Sequence, residues 1–332
     1  MNRFAKPLTA LCLAATALCA LAQTQGAEDP LRGAYHGALS GKKVVFVSFL
    51  LAEPLSQGWY HGLKDAFEPL GVKVEPRDAN LSASAGAQAL TQAIAQRPSV
   101  IVVQNPDLTV YARLIQQAEA VGIHVLSINL PSKAAGAGYI GPDWTRIGEM
   151  LAESSVEACK GKSGKVAIIQ GSVTAANNLF MMNGIDSVLG KNAQIKVVAN
   201  QAADWDTAKA KAVSTTVLKQ NPDLCAIMGS WDGMDLGIAA AVKEAGLTGK
   251  AAVFSSGGGS LESGCSQVKS GAFDSYVSYN LPVQVNQLTT MVAALLTANP
   301  KPGTFRSITY TPLTRITKGN ADQPGLCLAS RK

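Results

Sequence analysis

Three stretches hold residue types that could do chemistry. Gly161-Lys162-Ser163 offers a lysine and a hydroxyl for phosphate, but it lacks the upstream glycine of a phosphate loop and sits in a helix-to-strand turn. "SSGGGSLESG" (255–264) is rich in serine, yet it has no G-x-S-x-G elbow and no paired histidine nearby. Its glycines read as points of close backbone approach to a ligand or a facing lobe. His36, His61 and His124 are dispersed, and the cysteine spacing matches no zinc pattern. The sequence therefore does not read as an enzyme, and it calls for no cofactor. What it does concentrate at special places is indole. Trp231, in "IMGSWDGMDLG", stands where an apolar strand hands over to a helix, a place usually held by small polar residues.

The N-terminus indicates the compartment. "MNRFAK" is a short basic region, followed by an apolar run too short to span a bilayer and by Ala20-Leu21-Ala22, an A-x-A cleavage site. Gln25-Gly26-Ala27 is the second choice. Residues 1–22 read as a cleaved secretory signal, which places the mature chain in the periplasm. The formal charge of +6 falls to +4 once Arg3 and Lys6 leave with the signal. The remaining basic residues are scattered and not interleaved with aromatics, which argues against nucleic acid. Cys159, Cys225, Cys265 and Cys327 survive processing. An even count in an oxidising compartment predicts two disulfides, with three possible pairings.

These residues must be positioned by a regular framework. From Lys42, short apolar runs alternate with helical periodicity: "KVVFVSFLL", "VKVEPRDA", "SVIVVQN" and "HVLSIN". The series restarts at "AGYIGPD" and continues with "KVAIIQG", "IKVVANQ", "LCAIMGSW", "AAVFSSGG" and "SYVSYN". Repeated βα units build parallel sheets covered on both faces. The expected fold is α/β, two doubly wound parallel-sheet lobes joined by a three-segment hinge. The expected N-terminal lobe is 42–138 plus 282–305, and the C-terminal lobe is 139–281 plus 306–332. Ligands in such sheets bind beyond the carboxyl ends of the strands, so Trp205 and Trp231, which follow strand ends, should face the cleft. Cys159 ends a helix and Cys225 begins a strand, both away from the cleft, which favours the pairs Cys159–Cys225 and Cys265–Cys327.

With "EPLSQGWYHGLKDAFEPLGVKV", "VQNPD", "AVGIHVLSIN", "YIGPDWTRIGEMLA", "NQAADWDTAKAKA" and "NPDLCAIMGSWDGMDLGIAAAVKEAG" in order, the chain resembles the periplasmic sugar-binding proteins of ABC importers. The likeness is to the type I, ribose- and galactose-binding group and runs from about Lys42 to Asn320. It implies capture of a small molecule between two closing lobes and delivery to an ABC permease in the inner membrane, by a monomer. It also implies site positions. Ser48 and Glu53 occupy places of polar sugar contacts, and Asn280 takes the hinge amide position. Asn129 stands for an aspartate, and Leu130 for the arginine beside it. Met181 falls at a second-lobe arginine position and Gly257 at an aspartate. Trp205 matches an aromatic, and Trp231 replaces an asparagine.

A sugar site needs charged partners for hydroxyls plus one or two flat surfaces. Here the arginines are replaced while Trp59, Trp144, Trp205 and Trp231 lie near the expected cleft. Such a wall favours a planar, heteroaromatic ligand, for example a pyrroloquinoline-quinone-like cofactor or an aromatic acid, with Lys133 and Arg146 available to neutralise carboxylates. The alternatives are a sugar or polyol, since sugars also stack on Trp, or a ligand-presenting sensor for a membrane receptor. Trp59, at the start of a helix, reads more simply as core or hinge packing, and Trp144 equally as a hinge cap.

Overall fold

Residues 29–327 are described in the computed structural model, so the expected signal at 1–22 lies outside them. Two compact units separate at Gly37 and Ala38. The described part of the first is residue 29 and most of helix α1 (Pro30–Leu39); the second carries the framework below.

Its first sheet is formed by β1 (Lys43–Ser48), β2 (Lys73–Asp78), β3 (Val100–Val103), β4 (His124–Ile128) and β5 (Gly138–Gly141). Helices α2 (Pro54–Phe67), α3 (Ala83–Ala95) and α4 (Ala112–Ala120) connect the first four. The strands β1, β3 and β4 are buried almost end to end, which is why they read as continuous apolar runs rather than alternating ones. After α5 (Trp144–Ala158) the pattern repeats with β6 (Lys165–Gln170), α6 (Ala176–Leu189), β7 (Lys196–Ala202) and α7 (Thr207–Gln220). It continues through β8 (Ala226–Gly229), α8 (Asp232–Glu244), β9 (Ala252–Gly257), α9 (Ser266–Ser270) and β10 (Ser275–Ser278). The chain closes with α10 (Leu281–Ala298), β11 (Ser307–Tyr310) and β12 (Thr314–Ile316).

The strand orders are β2-β1-β3-β4-β5-β11 and β7-β6-β8-β9-β10-β12. Every pairing is parallel except β10 with β12. Each lobe thus has the doubly wound order with a switch point beside its first strand, where crevices form at the carboxyl ends. Helix α10 packs on α2 of the first lobe.

The lobe boundaries differ from those expected. β5 pairs with β4, so "AGYIGPD" ends the first sheet instead of starting the second, and the first crossing falls after Gly141, not at 138. β11 pairs with β5, which carries the other boundary from 305 to beyond Tyr310. The two crossing segments run side by side as strands before leaving the sheet. A pattern of apolar runs cannot assign such a strand to one sheet or the other.

Both expected disulfides form. Cys159, just past α5, joins Cys225 at the start of β8 with a Cα separation of 5.3 Å, and Cys265 joins Cys327 at 6.0 Å. Trp59 is fully buried in the core, edge-on to Phe46 at 6.4 Å, with its indole N–H donating to Gln284 Oε1 at 3.0 Å. It is a packing residue, not part of the cleft wall. Among the described residues, no helix is long and apolar enough to cross a membrane, and no His/Cys/Asp/Glu group is placed to hold a metal.

Candidate functional site

A cavity of about 490 Å³, counting its mouth, opens where the strand ends of the two lobes meet. From the first lobe it takes Phe49, Leu50 and Glu53 after β1, Gln104 after β3, and Asn129 with Leu130 after β4. Trp144 stands at the start of α5 and Asn177 in the first turn of α6. Trp205 follows β7, Trp231 follows β8 and Tyr279 follows β10. Its lining is mostly apolar with a few placed polar groups, the character of a small-molecule site.

Local structure explains how the two partly exposed indoles are held. Trp205 lies in a left-handed turn with Asp204, at φ 65° and 52°, ahead of Asp206, which caps α7 through the Lys209 N–H. Such a conformation costs a bulky residue on the order of 1–3 kcal/mol and clusters at functional sites. Leu81 and Asn129, at φ 62° and 61°, also line the cavity. The Trp205 ring lies against Gly171, at the end of β6, and the Trp231 ring lies over Gly233 in the first turn of α8; a Cβ at either glycine would overlap the ring. Trp231 is fixed further by Asp235, whose carboxyl accepts its backbone N–H at 3.1 Å. The two rings sit 6.5 Å apart at 72°, an edge-to-face corner. A parallel-walled slot for a planar ligand is therefore not what they form.

Trp144 serves the hinge and the cavity together. Its indole N–H donates to the Asn129 carbonyl at 2.8 Å, and its ring meets Tyr279 edge-on at 4.9 Å. The Tyr279 carbonyl in turn accepts from Thr311 Oγ1 at 3.1 Å and Gln284 Nε2 at 3.3 Å, linking the hinge segments.

Among the described residues, Glu53 supplies the wall's one ionisable carboxyl. It caps α2, accepting the Ser56 N–H and hydroxyl at 3.0 Å and the Leu55 N–H at 3.3 Å. The residue is only partly buried as a whole, but its carboxyl is enclosed by protein. Lost hydration raises its pKa to about 7, the Asp232 carboxylate across the cleft adds to this, and the Ser56 and Leu55 hydrogen bonds oppose it. Behind the second-lobe wall, burial likewise raises Asp232, which accepts Ser263 Oγ at 2.7 Å and Tyr276 Oη at 2.8 Å. Burial raises Asp235 further, with Asp232 adding to it. Asn129 and Asn177 are 4% and 3% exposed, and the Oδ1 of each has no partner among the described residues. Buried carbonyl oxygens of this kind call for a donor.

The structure gathers Glu53, Asn129, Trp144, Trp205 and Trp231 around one cavity. Four other expected site residues fall elsewhere. Met181 is buried in the core, one turn further along α6 than the residue of that helix that lines the cavity. Asn177, one turn earlier on the same helix, lines the cavity in its place. Ser48 is fully buried one layer back, donating to Ser56 Oγ at 3.0 Å, and so reaches Glu53 only through Ser56. Gly257 is shut off because the Asp232 carboxyl and Tyr276 hydroxyl fill the space where its side chain would be. Asn280 turns its amide to cap α10, accepting the Val283 N–H at 3.4 Å. Lys133 and Arg146 do not line the cavity either; Arg146 pairs with Glu149 and Glu153 on the surface of α5.

The periplasmic binding protein domain model matches residues 44–300, the framework that builds this cavity. The chain belongs to that family. Its fold is the type I periplasmic binding protein fold, shared with an ABC transporter solute binding protein from Burkholderia graminis solved in complex with D-arabinose. That similarity has a TM-score of 0.78 at 24% identity, covering 86% of this chain and 98% of the other. The chain is similar to the D-allose-binding periplasmic protein of Escherichia coli, 38% identical over 128 residues, 38% of this chain and 41% of that protein. It is also similar to the D-ribose/D-allose-binding protein of Pseudomonas aeruginosa, 27% identical over 225 residues, 65% of this chain and 68% of that one. The family consists of transport-associated binding proteins acting in the periplasm. The ligands named for these relatives are sugars, which favours the carbohydrate alternative and leaves the heteroaromatic expectation without support.

Missed by sequence reasoning were Phe49, Leu50, Leu55, Leu81, Gln104, Asn177 and Tyr279. Gln104 carried a usable signal: it directly follows the run "VIVV", at a strand's carboxyl end.

Proposed function

We propose that this periplasmic binding protein captures one small polyhydroxylated molecule, a sugar or polyol, between its lobes and presents it to the permease of an ABC importer. The observation that carries this reading is the pairing of the Trp205–Trp231 corner with the orphan Oδ1 atoms of Asn129 and Asn177. Hydroxyl groups donate to such oxygens, and the C–H face of a sugar ring packs into an angled aromatic corner. A planar quinone would bring chiefly acceptors and would need parallel faces.

Closure follows from the geometry. A ligand touching both rims favours the closed state by its differential affinity for it. The test is calorimetric titration with a panel of pentoses, hexoses and alditols, monitored in parallel by tryptophan fluorescence. One or a few should bind with a Kd of about 1 μM or tighter, near −8 kcal/mol. Binding of aromatic acids or quinones with no response to any sugar or polyol would refute the proposal.

A further inference from the structure

The cavity has an acidic side and no basic one. Glu53 reaches it from the first lobe, while Asp232 and Asp235 stand behind the second-lobe wall. Burial raises the pKa of the Tyr279 hydroxyl, and all three carboxyls add to it. Their partners are uniformly neutral. Glu53 has Ser56 and the Leu55 N–H, Asp232 has Ser263, Tyr276 and the Gly233 N–H, and Asp235 has Ser255 and the Trp231 N–H. No lysine, arginine or histidine lines the cavity among the described residues.

A buried carboxylate is unfavourable without a cation, and it resolves this by taking up a proton or by receiving a positive partner. The remaining wall suits the second outcome. Aromatic faces carry negative charge density and attract ammonium groups, most strongly for indole. Two edge-to-face pairs, Trp205 with Trp231 and Trp144 with Tyr279, give rings in differing planes on the same wall. Independently, the unpartnered Oδ1 atoms of Asn129 and Asn177, each more than nine-tenths buried, can be satisfied only by N–H or O–H donors.

We propose that the captured molecule carries a positively charged nitrogen: it is an amino sugar or amino polyol, with its ammonium facing Glu53 and the aromatic wall and its hydroxyls facing Asn129 and Asn177. This rests on reading the cavity as the site for a polyhydroxylated ligand and narrows it to a class. The raised pKa of Glu53 agrees with a carboxyl lacking its counter-charge, and an adjacent ammonium would return it to the ionised form.

Matched pairs test this by calorimetry at pH 7.5: D-glucosamine against D-glucose, 2-amino-1,3-propanediol against glycerol, and the amine analogue of whichever sugar or polyol binds most tightly. The amine should bind at least tenfold more tightly than its hydroxyl partner in the best-bound pair. That preference should shrink towards one in Glu53→Gln, with a melting curve verifying that the variant is folded. It should also shrink for the wild type at pH 5.5, where Glu53 takes up a proton. Equal or tighter binding of the neutral member in every pair would overturn the amine assignment and leave sugar or polyol capture standing. Failure of every member, amine or neutral, would overturn both.

Discussion

The first lobe meets the cavity with Glu53, Gln104 and Asn129, the second with Trp205, Trp231 and Tyr279, although both lobes are wound in the same strand order. The first-lobe rim sets these polar groups, one of them a carboxyl, among Phe49, Leu50 and Leu130, and the second-lobe rim adds Asn177 to its three aromatic rings. The lobes also differ behind the rim, since both disulfides lie in the second lobe or its C-terminal tail and none in the first. The scaffold therefore decides where a ligand goes, and the loop residues at each strand end decide what it is. The two rims are separable by experiment.

The largest effect is expected where a tryptophan is not at a rim at all. Trp59→Ala should cost about 3–5 kcal/mol of stability, as for other buried tryptophans. Ligand affinity of the molecules that remain folded should change little. Chemical denaturation and calorimetry on the same sample would separate the two quantities, and a large affinity loss with unchanged stability would move Trp59 into the cavity wall.

Next is the stapling of the second lobe. Replacing Cys159 and Cys225 by serine opens a link spanning 66 residues. Links of this kind are typically worth about 2–4 kcal/mol. Native-state hydrogen exchange should show the loss in β6 and β8, with β1 and β3 of the first lobe unchanged. Equal loss in both lobes would mean that they unfold as one unit.

At the aromatic rim, Trp231→Ala should weaken ligand binding by about 2 kcal/mol, near thirtyfold, as for a central anchor. The melting temperature should change far less than in Trp59→Ala, because Trp231 is partly exposed. The reverse ranking would make it a core residue.

The smallest effect concerns the polar rim and pH. The pKa of Glu53 is raised from 4.5 to about 7 in the folded protein, so folding favours its protonated form. Its contribution is fully present below pH 4.5 and is lost as pH rises through about 7. Glu53→Gln should therefore flatten the fall in stability across that window, by on the order of 2 kcal/mol after discounting for the partly exposed residue. Asp232 and Asp235, also raised, leave a residual slope of the same sign. An unchanged slope in denaturation midpoints between pH 4.5 and 7 would show that the Glu53 carboxyl is hydrated.

The parts of this design that follow a period were legible in the sequence. All ten apolar runs from "KVVFVSFLL" to "SYVSYN" are strands; burial in a parallel sheet leaves a continuous apolar signature in all but the edge strands β2 and β7, which are largely or partly exposed. The strand-end rule also brought Trp205 and Trp231 to the cavity, and the family resemblance brought Asn129. What the sequence hid depends on placement. Met181 and Asn177 lie one turn apart on the same face of α6, so position along the helix decides: Asn177, in the first turn, lines the cavity, and Met181 packs into the core. Ser48 and Phe49 are neighbours, yet Ser48, the last residue of β1, is fully buried, while Phe49, the first residue past the strand, lines the cavity. Gly257 was hidden for another reason: the carboxyl filling its space comes from Asp232, on a different βα unit.

Native mass spectrometry of the protein isolated from its own periplasm bears on all of this at once. The wild type should carry one bound molecule per chain with the mass of a small sugar or polyol, and Trp231→Ala should retain much less of it. A co-purified aromatic acid or quinone, or a sugar retained equally by Trp231→Ala, would contradict the assignment of this cavity.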